Sequence, residues 1–243
     1  MANLRHIVSA LEGAGERLPA VLPFGVAQLD QQLAGGGLRA DALHEATFAS
    51  ANWADDAAAT LFLASIAART GGTVLWVIRS RDLFAPGLYQ AGLVPERMLY
   101  AEARNDAELL ALMEEGVRHG ELGAVIGEVR QVSTTATRRL QLAAEGGGTI
   151  ALLLRRPQRD GADPFGIPSA AITRWRVGSA PSPPVPWNGL GRACWHLTCV
   201  RQRGGNPFEL TVEAADETGR LALPSQLADR PAAAGRAPVR ATG

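Results

Sequence analysis

The chain of 243 residues is 47% hydrophobic and 20% charged, with no net formal charge, a composition that predicts one sizeable α/β core with appendages. No run approaches the ~20 consecutive apolar residues that cross a bilayer, and residues 1–20 lack the basic-then-apolar pattern of a signal peptide, so a cytoplasmic protein is expected. All 24 basic residues are arginine, which excludes every mechanism that requires a lysine ammonium.

Along the chain, Leu4, Ile7, Val8 and Leu11 lie at helical spacing within residues 2–18, and the prolines at 19 and 23 end the pattern. The glycine run at 35–37 ahead of the apolar segment Leu43 to Phe48 reads as helix, turn and strand. From Asp55 to Arg69, many alanines with Leu61, Phe62 and Ile66 predict a largely buried helix closed by Gly71 and Gly72. The unbroken apolar run from Thr73 to Ile78 predicts a strand covered on both faces.

A short helix around Pro86 to Ala91 then leads to a strand at Met98 to Ala101. Asn105 with Glu108 forms a capping box for a helix carrying Leu109, Leu112, Met113 and Val117, stopped near Gly120. A strand at Ala124 to Gly127, a helix from Thr134 to Ala144 and a strand from Thr149 to Leu154 complete an alternation that predicts a parallel, doubly wound sheet.

After Leu154 the pattern changes to a polar loop, Arg155 to Pro168, then a strand at Ala171 to Val177 and a proline-rich link. A β-hairpin follows, with arms Cys194 to Arg203 and Phe208 to Glu213. The segment from Ser225 is rich in Ala, Pro, Gly and Arg and is expected to be disordered. The expected organisation is an N-terminal helix at 1–18, a core domain at 19–224 and a disordered tail at 225–243.

Charge is unevenly divided. Residues 1–150 hold 12 arginines against 17 carboxylates, and residues 151–243 hold 12 against 7. The surplus between Arg155 and Arg203 suits an anionic partner, or else a solvated mixed-charge surface. Cys194 and Cys199 are five apart in a strand, which points them to opposite faces, and the four histidines lack metal-ligand spacing.

In a sheet of this kind, ligands bind where the first core strand turns into the first core helix. A phosphate-gripping loop there needs glycines whose backbone N–H groups wrap the phosphates, a lysine on the terminal phosphates and a hydroxyl residue on magnesium. The runs LPFGVAQLDQQLAGGGLRADALHEA, APGLYQAGLVPERMLYAEARNDAELLALMEEGV and GAVIGEV are similar in order and spacing to the core of RecA recombinases, over roughly residues 20–215.

That resemblance implies an α/β, RecA-like P-loop-type core with a mostly parallel sheet, a C-terminal β-hairpin and a degenerate phosphate loop. The loop glycines become Ser50 and Asp55, the lysine becomes Asp56 and the magnesium-binding hydroxyl becomes Ala57. No neighbouring register supplies a glycine or a lysine. Two carboxylates where a triphosphate would lie are expected to repel it. Arg81 stands at the catalytic-base position, where a permanently charged cation cannot accept a proton. Glu128 corresponds to the magnesium-linked aspartate. The resemblance therefore implies no ATP hydrolysis and no cofactor.

The lost nucleotide site, the ITRWRV strand and the CWHLTCVRQRGG hairpin together resemble the ImuA family, non-enzymatic accessory subunits of SOS-induced translesion DNA synthesis. Membership implies binding to ImuB, RecA or an error-prone DNA polymerase, and leaves open direct contact with single-stranded DNA. Arg155, Arg156, Arg159 and Phe165 lie in the loop corresponding to RecA's second DNA-binding loop, Arg174 and Arg176 on the next strand, and Arg201 and Arg203 on the hairpin. Arginines interleaved with aromatics suit single-stranded DNA or an acidic protein groove.

Trp175 and Trp195 read either as part of that surface or as core packing. The loop after Val129, corresponding to RecA's first DNA-binding loop, is very short. The helix at 2–18 resembles the segment with which RecA docks on its neighbour, and either binds another subunit or folds back. Two other functions remain at this stage: an SOS-induced inhibitor of cell division, and a DNA-dependent ATPase, which the missing lysine opposes.

Overall fold

A computed structural model describes residues 20–156, 162–185 and 188–224. The expected helix at 2–18, the tail from 225 and Arg159 lie outside the described residues. In chain order the elements are β1 (Val21–Leu22), α1 (Ala27–Gln32), β2 (Leu38–Arg39), β3 (Leu43–Phe48), α2 (Trp53–Arg69), β4 (Val74–Ile78) and α3 (Ala85–Gln90). These are followed by β5 (Met98–Glu102), α4 (Asp106–His119), β6 (Ala124–Val129), α5 (Thr134–Gly147), β7 (Ile150–Arg155), β8 (Thr173–Ala180), β9 (Cys194–Gln202) and β10 (Phe208–Glu213).

An eight-stranded sheet runs in the order β10-β9-β8-β3-β7-β6-β4-β5. Strands β3 to β8 are parallel to their neighbours among themselves, while β8–β9 and β9–β10 pair antiparallel. The mostly parallel sheet and the C-terminal hairpin are as expected from the sequence. Not foreseen was a two-stranded antiparallel clip, Val21 against Arg39 and Leu22 against Leu38. Two-residue strands carry no periodicity by which a sequence announces them.

Both faces of the central parallel strands β3, β4, β6 and β7 are covered, which accounts for their largely apolar runs, while the edge strand β5 is half exposed. On one face α2 lies on the sheet through Ala58, Ala59, Phe62 and Ile66, with Trp76, Leu152 and Val177 beneath. The other face is covered by α4 and α5, through Leu109, Met113, Val117 and Leu140. Gly127 on β6 lets α4 come this close, since a Cβ there would fall 2.2 Å from Met113 Sδ. Ring centroids of Phe24, Trp175 and Trp195 lie 5.8, 5.6 and 6.4 Å from that of Phe62. Both tryptophans are thus core residues.

His44, fully buried on β3, links this core to the sheet. Its Nε2 donates to the Arg39 carbonyl at 2.9 Å, because a carbonyl can only accept. Nδ1 must then accept from Thr173 Oγ1 at 2.7 Å, and that oxygen in turn accepts from Trp175 Nε1 at 2.7 Å. The arrangement suits a neutral imidazole, and burial pushes its pKa down to about 4 from 6.5.

A lowered value means the unfolded chain binds the proton first. His44 therefore leaves stability intact above pH 6.5 and erodes it as pH falls towards 4, by about 3 kcal/mol in all. Denaturant titrations of the parent and a His44→Asn variant across that window are expected to diverge in slope, and parallel profiles would contradict the assignment.

Candidate functional site

The C-terminal ends of β3, β4, β6, β7 and β8 converge on the turn between β3 and α2, where a phosphate loop would lie. Asn52 caps α2, its side chain accepting from Asp55 N at 2.8 Å. Asp55 is turned inward and its carboxylate accepts four hydrogen bonds. Ser50 N (3.0 Å) and Ser50 Oγ (2.7 Å) donate to Oδ2, while Ser179 N (2.7 Å) and Ser179 Oγ (2.8 Å) donate to Oδ1. Burial alone would raise its pKa, but these donors outweigh burial and hold the group below the usual carboxylate range. The positive end of α2 acts in the same direction.

A helix N-terminus with free backbone N–H groups is an anion-binding site. Here an acidic side chain stands in the first turn of the helix, and its bonds to Ser50 and Ser179 tie the loop after β3 to the end of β8.

Asp56, one residue on, pairs with Arg156. The same guanidinium donates from Nε (3.2 Å) and Nη2 (3.0 Å) to Glu128 Oε2, and Trp76 Nε1 lies 3.3 Å from Glu128 Oε1. Burial, with Asp82's charge adding, pushes the Glu128 carboxyl up to about 7, and the Trp76 hydrogen bond opposes this. The Arg156 contact favours the ionised form of Glu128, and the guanidinium keeps its own charge although burial lowers its pKa.

So an arginine from the exit of β7 stands beside the residues at the lysine and magnesium-linked positions. The expected repulsive pair of carboxylates is corrected: neither is a free charge, because Asp55 accepts four hydrogen bonds and Asp56 is ion-paired with Arg156. Ala57 adds no hydroxyl. Arg81, at the catalytic-base position, is exposed and paired with Glu102.

The arginines expected to face a partner divide into two groups. Arg155 is buried, its Nη1 3.1 Å from Glu45 Oε1. Arg174 Nε lies 2.9 Å from Glu45 Oε2 across the β3–β8 register, and Ser169 Oγ donates to Glu45 Oε1 at 2.8 Å. Arg174 also donates to the Phe165 and Ile167 carbonyls and stacks 4.2 Å from the Phe165 ring.

Arg176 pairs with Asp163 at 2.8 Å and covers the same ring at 5.3 Å. These groups, with Arg156, are committed to the protein's own carboxylates and ordered loop. Arg201 and Arg203 lie on the surface. Only residues 130–133 separate β6 from α5, so the loop there is as short as expected.

No family model matches the chain. It is 39% identical over 238 residues to Protein ImuA of Caulobacter vibrioides strain NA1000 / CB15N, an alignment covering 92% of this chain and 97% of that protein, and the strain CB 15 protein matches equally. The chain belongs to the ImuA family. The crystal structure of the RadB recombinase superposes with a TM-score of 0.58 at 15% identity, covering 83% of this chain and 98% of that one. That likeness shows a RecA-like fold for this ImuA-family chain.

Sequence reading of the ImuA-family site missed the part of Arg156, which it assigned to a partner surface, and it missed Ser179 and Glu45 altogether. A signal for Glu45 was present: a charged residue in the middle of the strand segment LHEATF requires a buried counter-charge. Its partners, two strands supplied from beyond residue 150, cannot be read from spacing.

Proposed function

We propose that the chain is a non-catalytic, RecA-like accessory protein of SOS-induced translesion DNA synthesis that acts by binding ImuB, RecA or the error-prone DNA polymerase. One observation carries the non-catalytic reading: the polar groups at the place of a phosphate loop are already engaged with one another, the Ser50 and Ser179 donors with Asp55 and the arginine with Asp56 and Glu128. The absence of lysine from the chain and the cation at position 81 act in the same direction. Membership of the ImuA family supports the setting. A core that keeps the RecA-like fold while filling its own ligand space supports binding rather than turnover.

Contact with single-stranded DNA, on this reading, belongs to the surface arginines. Arg138, Arg201 and Arg203 line an open groove of about 360 Å³ with Thr134, Gln141 and Glu145, whose carboxylate is paired with Arg39. Among the described residues the Arg138 and Arg203 side chains have no ion pair, and Arg201 donates to the Ser169 and Ala171 carbonyls. Unpaired guanidinium groups along a trough suit a phosphate backbone.

Affinity capture with the tagged chain from DNA-damaged cells, with and without magnesium ATP, tests the reading. Recovery of ImuB, RecA or the polymerase in equal amount under both conditions is expected. Recovery of the cell-division GTPase in their place would favour a division inhibitor, and capture that requires ATP would overturn the non-catalytic reading.

A further inference from the structure

Beside the filled phosphate position lies a groove with a chemistry of its own. Trp53, the first residue of α2, is 90% exposed, and Phe84, just ahead of α3, is 72% exposed. They line a space of about 340 Å³ with Leu61, Leu83 and Leu88, and Asp56 and Arg156 also face it. Two large aromatics left in water at one groove are an unusual cost for a surface without a partner. Aromatics are also the side chains that most often anchor protein interfaces.

Their presentation is rigid. The Asn52 cap and the four hydrogen bonds on Asp55 fix the first turn of α2, so the backbone beneath Trp53 is already ordered and loses little freedom when the side chain is covered.

The charge at the groove is specific as well. Asp56 is neutralised by Arg156, and Glu102 nearby is taken by Arg81. Asp82 is exposed at the groove with the Ser80 hydroxyl as its hydrogen-bond partner at 3.2 Å. It has no cationic partner among the described residues.

We propose that this groove docks a protein segment that presents an apolar side chain flanked by an arginine or lysine. The apolar group lies between Trp53 and Phe84 and the cation lies against Asp82. The proposal rests on the accessory-protein reading and names the surface through which it operates. It also gives the rigid, filled phosphate loop a purpose, since that loop holds the docking tryptophan in place.

Titration of purified ImuB against the full chain and its variants tests it. Trp53→Ala and Phe84→Ala are each expected to weaken binding tenfold or more. Asp82→Asn is expected to weaken it about threefold and to reduce its salt dependence. Glu209→Gln, on the edge strand β10, is expected to leave it unchanged. Unfolding temperatures of the four variants are expected to match the parent, because all four side chains are exposed.

Parent-like ImuB affinity in both aromatic variants would overturn the groove while leaving the accessory reading intact. Failure of the parent to bind ImuB would overturn ImuB as the partner and, with it, the groove's role. Sedimentation of the parent as a dimer that Trp53→Ala dissolves would assign the groove to a second copy and overturn the proposed occupant.

Discussion

Replacing Glu45 by alanine is expected to lower the free energy of unfolding by about 3–5 kcal/mol, because it leaves buried guanidinium groups without a counter-charge. Glu45 is fully buried on β3, and it is the shared carboxylate of Arg155 and Arg174. Total stabilities of only ~5–15 kcal/mol make such a loss a large fraction of the whole. Glu45→Gln keeps the side-chain volume and an acceptor oxygen for Ser169, so its loss is expected to be smaller.

Urea unfolding of the two variants against the parent gives both numbers. A loss under ~1 kcal/mol for Glu45→Ala would mean that water reaches the two arginines, contrary to the burial described. The consequence extends beyond stability. Arg174 holds the Phe165 and Ile167 carbonyls while paired with Glu45, so removing the carboxylate is also expected to loosen residues 163–169.

Asp55→Ala carries the second large effect, a destabilisation of about 2–3 kcal/mol. The side chain lost accepts four hydrogen bonds, but the Ser50 and Ser179 donors lie near the surface, so water recovers part of what is lost. The pH dependence has a defined sign. A lowered acid pKa contributes stability that is present above the unfolded value of 3.8 and disappears as pH falls below it. The variant is therefore expected to lose its disadvantage only in strong acid.

Inorganic phosphate is expected to raise the unfolding temperature of Asp55→Ala and not that of the parent, since only the variant frees the Ser50 and Ser179 donors beside the start of α2. Equal response of the two proteins would show that the carboxylate does not occupy an anion site.

Much of the fold was legible because the strands and helices carry different periods. The alternation from β3 to β7 and the hairpin of β9 and β10 could be read from apolar runs, caps and glycines. The clip of β1 and β2 could not, being too short to have a period. At the site, the absence of glycine and lysine was plain from Ser50 to Ala57, yet the internal pairing of Asp55 and Asp56 was not.

Like charge suggested repulsion, whereas Asp55 is hydrogen-bonded by Ser179 and Asp56 is paired with Arg156, partners that lie about a hundred residues or more away in sequence. Separation in sequence also misled the reading of Arg155 and Arg174, 110 and 129 residues from Glu45, and of Arg156, 28 residues from Glu128. Arginines beside an apolar strand look like a basic surface until their acids, the buried Glu45 and the partly buried Glu128, are brought alongside by the sheet register. Charge in a sequence shows that a partner is needed; only the fold shows whether that partner is internal.

On the proposed reading the protein's own side chains occupy the place of a nucleotide's phosphates, and calorimetric titration with magnesium ATP tests this most directly. The expected result is no saturable heat up to millimolar nucleotide and no change in unfolding temperature. Saturable binding that the parent shows and that Glu128→Ala or Arg156→Ala abolishes would contradict it.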